Sequence, residues 1–279
     1  MPSWSVRERA QRSTTGAAVV STRDSRGDEA GAAEAPAVRF VLASGNRHKA
    51  REFDAILTPF RVVAMPAGVE LPPEGSESFA ANARAKAEAL ARAAAADPAL
   101  LTGLGLEPGG PVLYLADDSG LEVEALGWAP GVMSARYAGV DGPGADRANY
   151  ERLLREMRGL VGPLGRRARF VCSVVAVTPA MTYHTASGQW WGAIAEAPRG
   201  EGGFGYDPVF VPEGSTLSVA EWPQAAKDRS SHRARAGRAS PLPPSTPLSS
   251  LNLWPKRAKV RAPASAGEWG RTRDFPVCV

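Results

Sequence analysis

The chain has 279 residues, of which 44% are hydrophobic and 22% charged, a composition typical of a globular protein with a sizeable core. No apolar run approaches the roughly 20 residues that span a bilayer, and the run at residues 17–20 is too short for a signal-peptide core. The sequence therefore argues against a membrane protein. Two cysteines, Cys172 and Cys278, show no disulfide framework and no metal-ligand spacing, so we expect a cytoplasmic protein.

The formal net charge of +4 could indicate a nucleic-acid partner. However, eleven Lys/Arg and only three Asp/Glu lie from Lys227 onward, so this region carries +8 and the rest of the chain carries −4. A protein that binds nucleic acid through a basic tail is thus one alternative. The tail contains no known nucleic-acid-binding module, and we expect no specific nucleic-acid partner.

Composition divides the chain into three parts. Residues 1–36 are rich in Ser, Thr, Arg, Ala and Gly without periodicity, which predicts a disordered extension. Residues 37–237 alternate strand and helix patterns and form the predicted domain. Residues 238–279 are rich in Pro and Arg, and we expect this tail to be disordered because prolines end helices.

The domain begins with a predicted strand at residues 38–43 and a helix whose apolar face contains Phe53 and Ile56. Ser44 or Asn46 can cap this helix. A strand, a turn and a helix N-terminus together form an anion-binding arrangement, because free backbone N–H groups point outward there. Lys49 opposes the helix dipole, which is unusual and favours a ligand role. On this segment alone, however, an ordinary surface lysine is the stronger interpretation. The turn contains Ser44, Gly45, Asn46, Arg47, His48 and Lys49, and its spacing is not that of a Walker loop.

A short strand at residues 61–65, a loop at 71–78, an Ala-rich helix at 79–96 and a loop at 97–110 follow. A buried strand at residues 112–116 is then predicted to end abruptly in Asp117 and Asp118. Two adjacent carboxylates are costly unless a cation or a proton lies between them, and strand ends in α/β sheets bind ligands. The alternative interpretation is a solvated Asx turn, which Asp-Asp-Ser-Gly also favours.

The second half predicts a helix at residues 146–160, strands at 168–177 and 181–190 joined by a turn, and a short strand at 192–197. The segment from Gly203 to Asp207 combines glycines with aromatic residues. This pattern indicates either a backbone that passes close to a flat group or a generic glycine turn.

Four motifs in this order resemble the inosine/xanthosine triphosphate pyrophosphatase family. They are Ser44-Gly45-Asn46-x-x-Lys49, Asp117-Asp118-Ser119-Gly120-Leu121, Gly203-Phe204-Gly205-Tyr206-Asp207-Pro208 and Ser231-His232-Arg233. Pro130-Gly131 and Ser134-Ala135-Arg136-Tyr137 also match the family, and the resemblance covers about residues 38–235.

The resemblance implies an α/β fold with a mixed central sheet flanked by helices, and two lobes with a nucleotide cleft between them. It also implies a homodimer that uses Mg²⁺ to hydrolyse non-canonical purine nucleoside triphosphates (ITP, dITP, XTP and dXTP) to monophosphate and pyrophosphate. Asp118 would be the catalytic base and, with Glu74, a metal ligand. The implied substrate-binding residues are Ser44, Gly45, Asn46, Arg47, His48, Lys49, Ser119, Phe204, Gly205, Tyr206, Asp207, Lys227, His232 and Arg233.

The chain departs from the family pattern at three places. Ala81 stands where the family usually has Glu, the loop at residues 97–110 looks longer, and the C-terminal helix gives way to Pro241, Pro243 and Pro244. An inactive or unstable relative with a lost C-terminal helix is therefore a further alternative, as is a pyrophosphatase of similar fold with another base preference.

Overall fold

The computed structural model describes residues 39–106 and 110–239. Within them, six strands form one sheet in the order β2-β1-β3-β4-β5-β6. The strands are β1 (Arg39–Leu42), β2 (Arg61–Ala64), β3 (Val112–Val123), β4 (Arg167–Val177), β5 (Tyr183–Ile194) and β6 (Phe210–Pro212). The β2-β1-β3 pairs are parallel and the β3-β4-β5-β6 pairs are antiparallel, which confirms the predicted mixed sheet.

Seven α-helices and three 3₁₀ turns accompany the sheet in the same part of the chain. The helices are α1 (Arg47–Ile56), α2 (Phe79–Ala96), α3 (Ala99–Thr102), α4 (Ala145–Glu156), α5 (Gly162–Gly165), α6 (Gln224–Ser230) and α7 (His232–Ala239). The 3₁₀ turns are Glu124–Leu126, Gly131–Arg136 and Val219–Glu221. None of these helices is long and apolar enough to cross a membrane.

The predicted disordered extension at residues 1–36 lies outside the described residues, and so does the tail from residue 240 onward. Helix α7 includes the first two residues of that predicted tail.

Two hydrophobic layers enclose the first half of the sheet. Helix α2 covers one face, where alanines such as Ala83 and Ala87 are fully buried against the strands. Helices α1 and α7 cover the other face through Phe53 and Ala236. A third cluster surrounds the far half of the sheet and includes the second half of β3 and Leu153 of α4. The core is therefore divided along β3, between the two halves of the sheet.

The predicted end of β3 at residue 116 is wrong. The strand continues to Val123, and its pairing with β4 runs without a break through Asp117 and Asp118. Asp-Asp-Ser-Gly is good turn chemistry in isolation, but pairing with a long antiparallel neighbour overrides that local preference. The Asx-turn interpretation is therefore wrong as well.

The predicted separate strand at residues 192–197 is also wrong, because β5 continues through Gly192 to Ile194. Glycines in β5 permit close packing rather than a break. A Cβ atom on Gly188 would lie 2.2 Å from the carbonyl oxygen of His232 and 2.4 Å from the nitrogen of Ala236. The backbone of α7 thus lies directly on β5, which fixes the start of α7 relative to the sheet.

Candidate active site

The site lies where β3 extends beyond the end of β1. Only residues 112–115 of β3 pair with β1, so the next residues of β3 border a cleft on that side. A cavity of about 170 Å³, partly open to solvent, occupies this position. It is lined by Asn46, Lys49, Glu74, Asp118, Ser119, Gly120, Leu121, Val132, Ser134, Ala135, Asp146, Asn149, Phe170, Phe204, Gly205, Tyr206, Asp207, Lys227, His232 and Arg233. Its concave shape and the convergence of charged and aromatic side chains on it make this cavity the candidate ligand-binding site.

Most of the side chains implied by the resemblance line this cavity, and four residues do not. Ser44 and Gly45 precede α1, and Arg47 and His48 are its first two residues, but none of the four lies in the cavity wall. His48 instead lines a neighbouring cavity, and its ring centroid is 5.9 Å from that of Phe204.

The turn before α1 is held by its own side chains. Asn46 is the N-cap, and its Oδ1 accepts hydrogen bonds from the backbone nitrogens of His48 (2.9 Å) and Lys49 (3.3 Å). Ser44 Oγ accepts a bond from the nitrogen of Asn46. Two N–H groups expected to be free for an anion are therefore already bonded to Asn46. Lys49 is the charged residue of this segment that lines the cavity.

Asp117 and Asp118 lie on opposite faces of β3, because successive side chains in a strand alternate. Asp117 Oδ1 lies 3.0 Å from Lys49 Nζ, and its Oδ2 lies 3.1 Å from Arg233 Nε. Asp118 faces α2 and accepts a 2.8 Å hydrogen bond from Asn82. The two carboxylates therefore do not face each other, and no cation or proton needs to lie between them.

Asp117 is part of a chain of six charges of alternating sign, of which all but Lys49 are buried. Arg233 also bonds Glu52 Oε2 at 3.0 Å, and Glu52 Oε1 lies 3.2 Å from Lys227 Nζ, an ion-pair distance without hydrogen-bond alignment. Lys227 in turn bonds Asp207 Oδ2 at 2.6 Å. The order along this charge chain is Lys49, Asp117, Arg233, Glu52, Lys227 and Asp207. Its three cations and three carboxylates balance, which is how buried charges are usually tolerated.

A second ionic cluster lies on the α2 side of β3. Lys86 Nζ lies between two carboxylates, 2.8 Å from Glu74 Oε1 and 3.5 Å from Asp118 Oδ1. Arg136 Nη1 bonds the other oxygen of Glu74 at 3.2 Å. We call Glu74, Lys86, Asp118 and Arg136 the carboxylate cluster. Because Lys86 is shared, the two carboxylates are close enough to hold one cation between them.

The two aspartates differ in acidity. Burial alone would raise the pKa of Asp117, but Lys49 and Arg233 outweigh burial and hold that pKa well below its ordinary value. Burial raises the pKa of Asp118, and Lys86 and Asn82 offset this only in part. For Glu74, the bonds to Lys86 and the charges of Lys49 and Arg136 outweigh burial and lower the pKa. Asp118 is thus the more basic of the two carboxylates in the carboxylate cluster.

The loop before β6 forms the far wall of the cavity. Gly203 has φ +73°, and a Cβ there would lie 2.1 Å from Asp207 Oδ2, so only glycine fits. Asp207 Oδ2 also accepts a 2.9 Å bond from the nitrogen of Phe204. Lys227 Nζ lies 4.1 Å from the centroid of the Phe204 ring. Gly203 is therefore explained by the close approach of Asp207, and the loop presents an aromatic ring beside a cation.

His232 contributes a neutral ring to the same wall. It stacks on Phe170 with centroids 4.8 Å apart and planes 15° from parallel. Burial and the neighbouring Arg233 and Lys227 hold the pKa of His232 well below its ordinary value. Its Nδ1 is buried and has no hydrogen-bond partner among the described residues.

Four residues of the site were missed by sequence reasoning: Glu52, Asn82, Lys86 and Arg136. Glu52 and Lys86 each interrupt the apolar face of a helix, next to Phe53 in α1 and Ala87 in α2, and both are almost fully buried. A charged residue within an apolar face is a signal that could have identified them. Asn82 and Arg136 were noticed only as parts of motifs.

Known proteins were compared with the chain. The sequence model of the Ham1 family matches residues 40–240. The dITP/XTP pyrophosphatase of Ralstonia nicotianae is 44% identical over 204 residues, which cover 71% of this chain and 92% of that protein. The enzyme of the same name from Methylacidiphilum infernorum is 38% identical over 200 residues, covering 71% and 90%.

Solved structures give the same result. The Staphylococcus aureus Ham1 protein matches with a TM-score of 0.57 and 34% identity, over 71% of this chain and 93% of that one. The nucleoside-triphosphatase, or dITP/XTP pyrophosphatase, of Mycobacterium abscessus matches with a TM-score of 0.54 and 35% identity, over 72% and 96%. The family resemblance inferred from the motifs is confirmed, and the chain belongs to the Ham1 family.

Proposed function

We propose that the chain hydrolyses non-canonical purine nucleoside triphosphates, namely ITP, dITP, XTP and dXTP, to the nucleoside monophosphate and pyrophosphate. The observation that carries this proposal is the pairing of two ionic systems across one cavity. One contains cations and an aromatic ring suited to a nucleotide, and the other contains two carboxylates able to share a cation. The names of the relatives support the same activity.

Asp118 is the proposed general base. Its burial raises the pKa of the carboxyl group, which makes the carboxylate a better acceptor for the proton of an attacking water. Asn82 holds one carboxylate oxygen at 2.8 Å, so the other oxygen has a defined direction. We place the attacking water on the α2 side of β3, where Asp118 faces.

Glu74 and Asp118 are the proposed ligands of a divalent cation, which we take to be Mg²⁺. No group of three or more His, Cys, Asp or Glu residues suited to a metal is present in the part of the chain that the structure describes. Two carboxylates nevertheless fit Mg²⁺, because this ion usually takes its remaining ligands from water and substrate phosphates. When bound, the ion would neutralise phosphate charge and polarise the phosphorus centre.

The charge balance supports metal dependence. Lys49, Lys227 and Arg233 each already lie within ion-pair distance of at least one carboxylate. A triphosphate with about four negative charges would therefore meet, in Lys49, a cation that Asp117 already balances, and Lys227 and Arg233 on the base side are balanced as well. A divalent cation would supply the missing positive charge.

Lys49 is assigned to the phosphates, with the turn from Ser44 to His48 around it, and Ser119 is a further substrate contact. The base is assigned to Phe204, Gly205, Tyr206, Asp207, Lys227, His232 and Arg233. Lys227 and Arg233 carry only donors, which favours a 6-keto purine over a 6-amino purine. An unmade bond to a buried donor costs about 1–3 kcal/mol, so rejection of ATP by ~10²-fold is expected.

We further propose that the protein is a cytoplasmic homodimer. The family resemblance is the basis for the dimer. The basis for the cytoplasmic setting is the cysteine content of the sequence, because Cys172 and Cys278 show no disulfide framework.

The test is a panel of ITP, XTP, dITP, GTP, ATP and CTP with Mg²⁺ and with EDTA, in which pyrophosphate and phosphate are measured separately. Pyrophosphate release from ITP and XTP, at least ~10²-fold faster than from ATP, is the expected result. Release of phosphate alone, or equal rates with all bases, would displace the proposal.

A further inference from the structure

The loop that carries Glu74 has little structure of its own. Residues 69–75 belong to neither helix nor strand, and the Glu74 side chain is 29% exposed. A metal ligand on such a loop needs neighbouring groups that fix its orientation, because outer-shell contacts orient the ligands of metal sites.

Arg136 makes three hydrogen bonds to this loop. Its Nη1 donates to Glu74 Oε2 at 3.2 Å, and its Nη2 donates to the carbonyl oxygens of Glu74 and Gly75, both at 3.1 Å. One guanidinium group thus holds both the backbone and the carboxylate of the loop. The planar fork of Arg suits this geometry, whereas the point charge of Lys does not.

Arg136 itself is firmly placed. It ends the 3₁₀ turn Gly131–Arg136. Ser134 Oγ in this turn accepts a 2.9 Å bond from the nitrogen of Leu121 in β3. The buried Asn149 of α4 donates to the carbonyl oxygen of Ala135 at 3.0 Å. The backbone segment that carries Arg136 is therefore anchored to the sheet and to α4, outside the loop that the guanidinium contacts.

Lys86 cannot hold Glu74 once a metal has bound. Lys86 Nζ lies between Glu74 Oε1 and Asp118 Oδ1, and a divalent cation shared by the same carboxylates would repel it. Arg136 contacts the opposite oxygen, Oε2, and has no such conflict.

We propose that Arg136 is a positioning residue that holds Glu74 in the orientation needed to bind the metal. This role rests on the proposed function, since it concerns the metal site of that reaction. Arg136 acts through Glu74 and does not touch the substrate. Its loss should weaken metal binding and leave metal-free nucleotide binding unchanged.

The test uses Arg136→Gln and the milder Arg136→Lys in the full chain. Mn²⁺ affinity is measured by electron paramagnetic resonance, with and without an ITP analogue that carries a methylene group between the α and β phosphorus atoms. Loss of an outer-shell partner typically weakens metal binding ~10–100-fold, and we expect this range for Arg136→Gln and a smaller loss for Arg136→Lys. Binding of the analogue in EDTA should be unchanged. Arg92→Gln, which removes an exposed arginine paired with Glu88, is the matched control and should bind Mn²⁺ normally.

A double-mutant cycle separates positioning from general destabilisation. In a Glu74→Gln background, Arg136→Gln should add no further loss of Mn²⁺ affinity, because the two residues act through one carboxylate. Three outcomes would each overturn the role. The first is unchanged Mn²⁺ affinity in Arg136→Gln, and the second is that Arg136→Gln lowers Mn²⁺ affinity as much in the Glu74→Gln background as in the wild type. The third is that Arg136→Gln weakens analogue binding in EDTA as much as it weakens Mn²⁺ binding. If Arg136→Gln does not fold, as judged by circular dichroism, the same cycle with Arg136→Lys decides. If the wild type binds the analogue but the variants do not lose Mn²⁺ affinity as expected, only the role of Arg136 is refuted. If the wild type does not bind the analogue, the proposed function is refuted and the role of Arg136 with it.

Discussion

Asp117 and Asp118 are neighbours in sequence but lie in two different electrostatic environments. Asp117 has no exposed side-chain surface and bonds two cations, Lys49 and Arg233. Asp118 contacts the neutral Asn82 and shares Lys86 with Glu74. The strand imposes this difference, because adjacent side chains must point to opposite faces.

Because of this difference, Asp117 is suited to a structural role and Asp118 to a role in the reaction. A carboxylate held ionised by two cations is a poor base, and it serves to keep those cations in place. A carboxylate whose pKa is raised by burial and only partly offset by a shared lysine can accept a proton. Two identical side chains, one residue apart, can therefore have different roles. Four experiments would break or sharpen this contrast.

The largest expected effect belongs to Asp118→Asn. The substitution keeps the shape but removes the proton acceptor and a metal ligand, so kcat should fall by about 10²–10⁴-fold. The free energy of unfolding should change little, because Asn can still bond Asn82. Steady-state kinetics and urea unfolding check the two parts. Near-normal turnover would sink the assignment of Asp118 as the base.

Asp117→Asn should give the opposite pattern. Removing one partner of a buried ion pair typically costs about 3–5 kcal/mol, and we expect about 3 kcal/mol here because Asn still offers one acceptor. The activity lost should appear chiefly in KM, since Lys49 and Arg233 would be displaced. Urea unfolding of Asp117→Asn and Asp118→Asn, measured side by side, compares the free energies of unfolding of the two variants directly. Equal stabilities for the two variants would mean that the charge chain does not support the fold.

Phe204→Ala tests the ligand side of the charge chain. The ring lies beside Lys227, and loss of a stacking face typically costs about 1–3 kcal/mol per base. KM should rise by about tenfold for ITP and XTP alike, with kcat changed much less, because stacking does not depend on base identity. A large change in kcat with unchanged KM would place Phe204 in the chemical step instead.

The smallest effect concerns pH and His232. The folded-state pKa of His232 lies below its unfolded value of 6.5, so the unfolded chain binds the proton more readily. The stability contributed by the neutral ring is thus complete above pH 6.5 and is lost as the pH falls below it. The slope is at most about 1.4 kcal/mol per pH unit. His232→Gln should reduce this acid loss between pH 6.5 and 5 in urea unfolding. If the free energy of unfolding fell equally with pH in the wild type and in His232→Gln over this range, the expectation would be contradicted.

Local signals predicted several elements well. The helix predicted at residues 79–96 is α2 with the same bounds, because Ser78 caps it and an alanine-rich face packs on the sheet. The predicted Asn46 cap is likewise present. The bounds of α2 and the cap at Asn46 both depend on contacts between residues close together in the sequence. A local sequence pattern can therefore predict them.

What the sequence could not predict depends on distant partners. The extension of β3 through Asp117 requires β4, which lies more than fifty residues away. Glu52 meets Arg233 across 181 positions, and Lys86 meets Asp118 across 32. No local pattern indicates such pairs. The order of the motifs was therefore enough to locate the site, but the ion pairs within it could be identified only from the fold.

The open edge of β3 has a consequence beyond ligand binding. Unpaired strand edges invite pairing with other chains and so promote aggregation. Here the backbone nitrogen of Leu121 bonds Ser134 Oγ, and Glu122 forms a single bridge with Pro130. The 3₁₀ turn Gly131–Arg136 lies so close to the strand that a Cβ on Gly120 would be 2.5 Å from the carbonyl oxygen of Gly131. The segment that orders the cavity wall therefore also blocks strand addition, and variants that loosen it, such as Ser134→Ala, should aggregate more readily than the wild type.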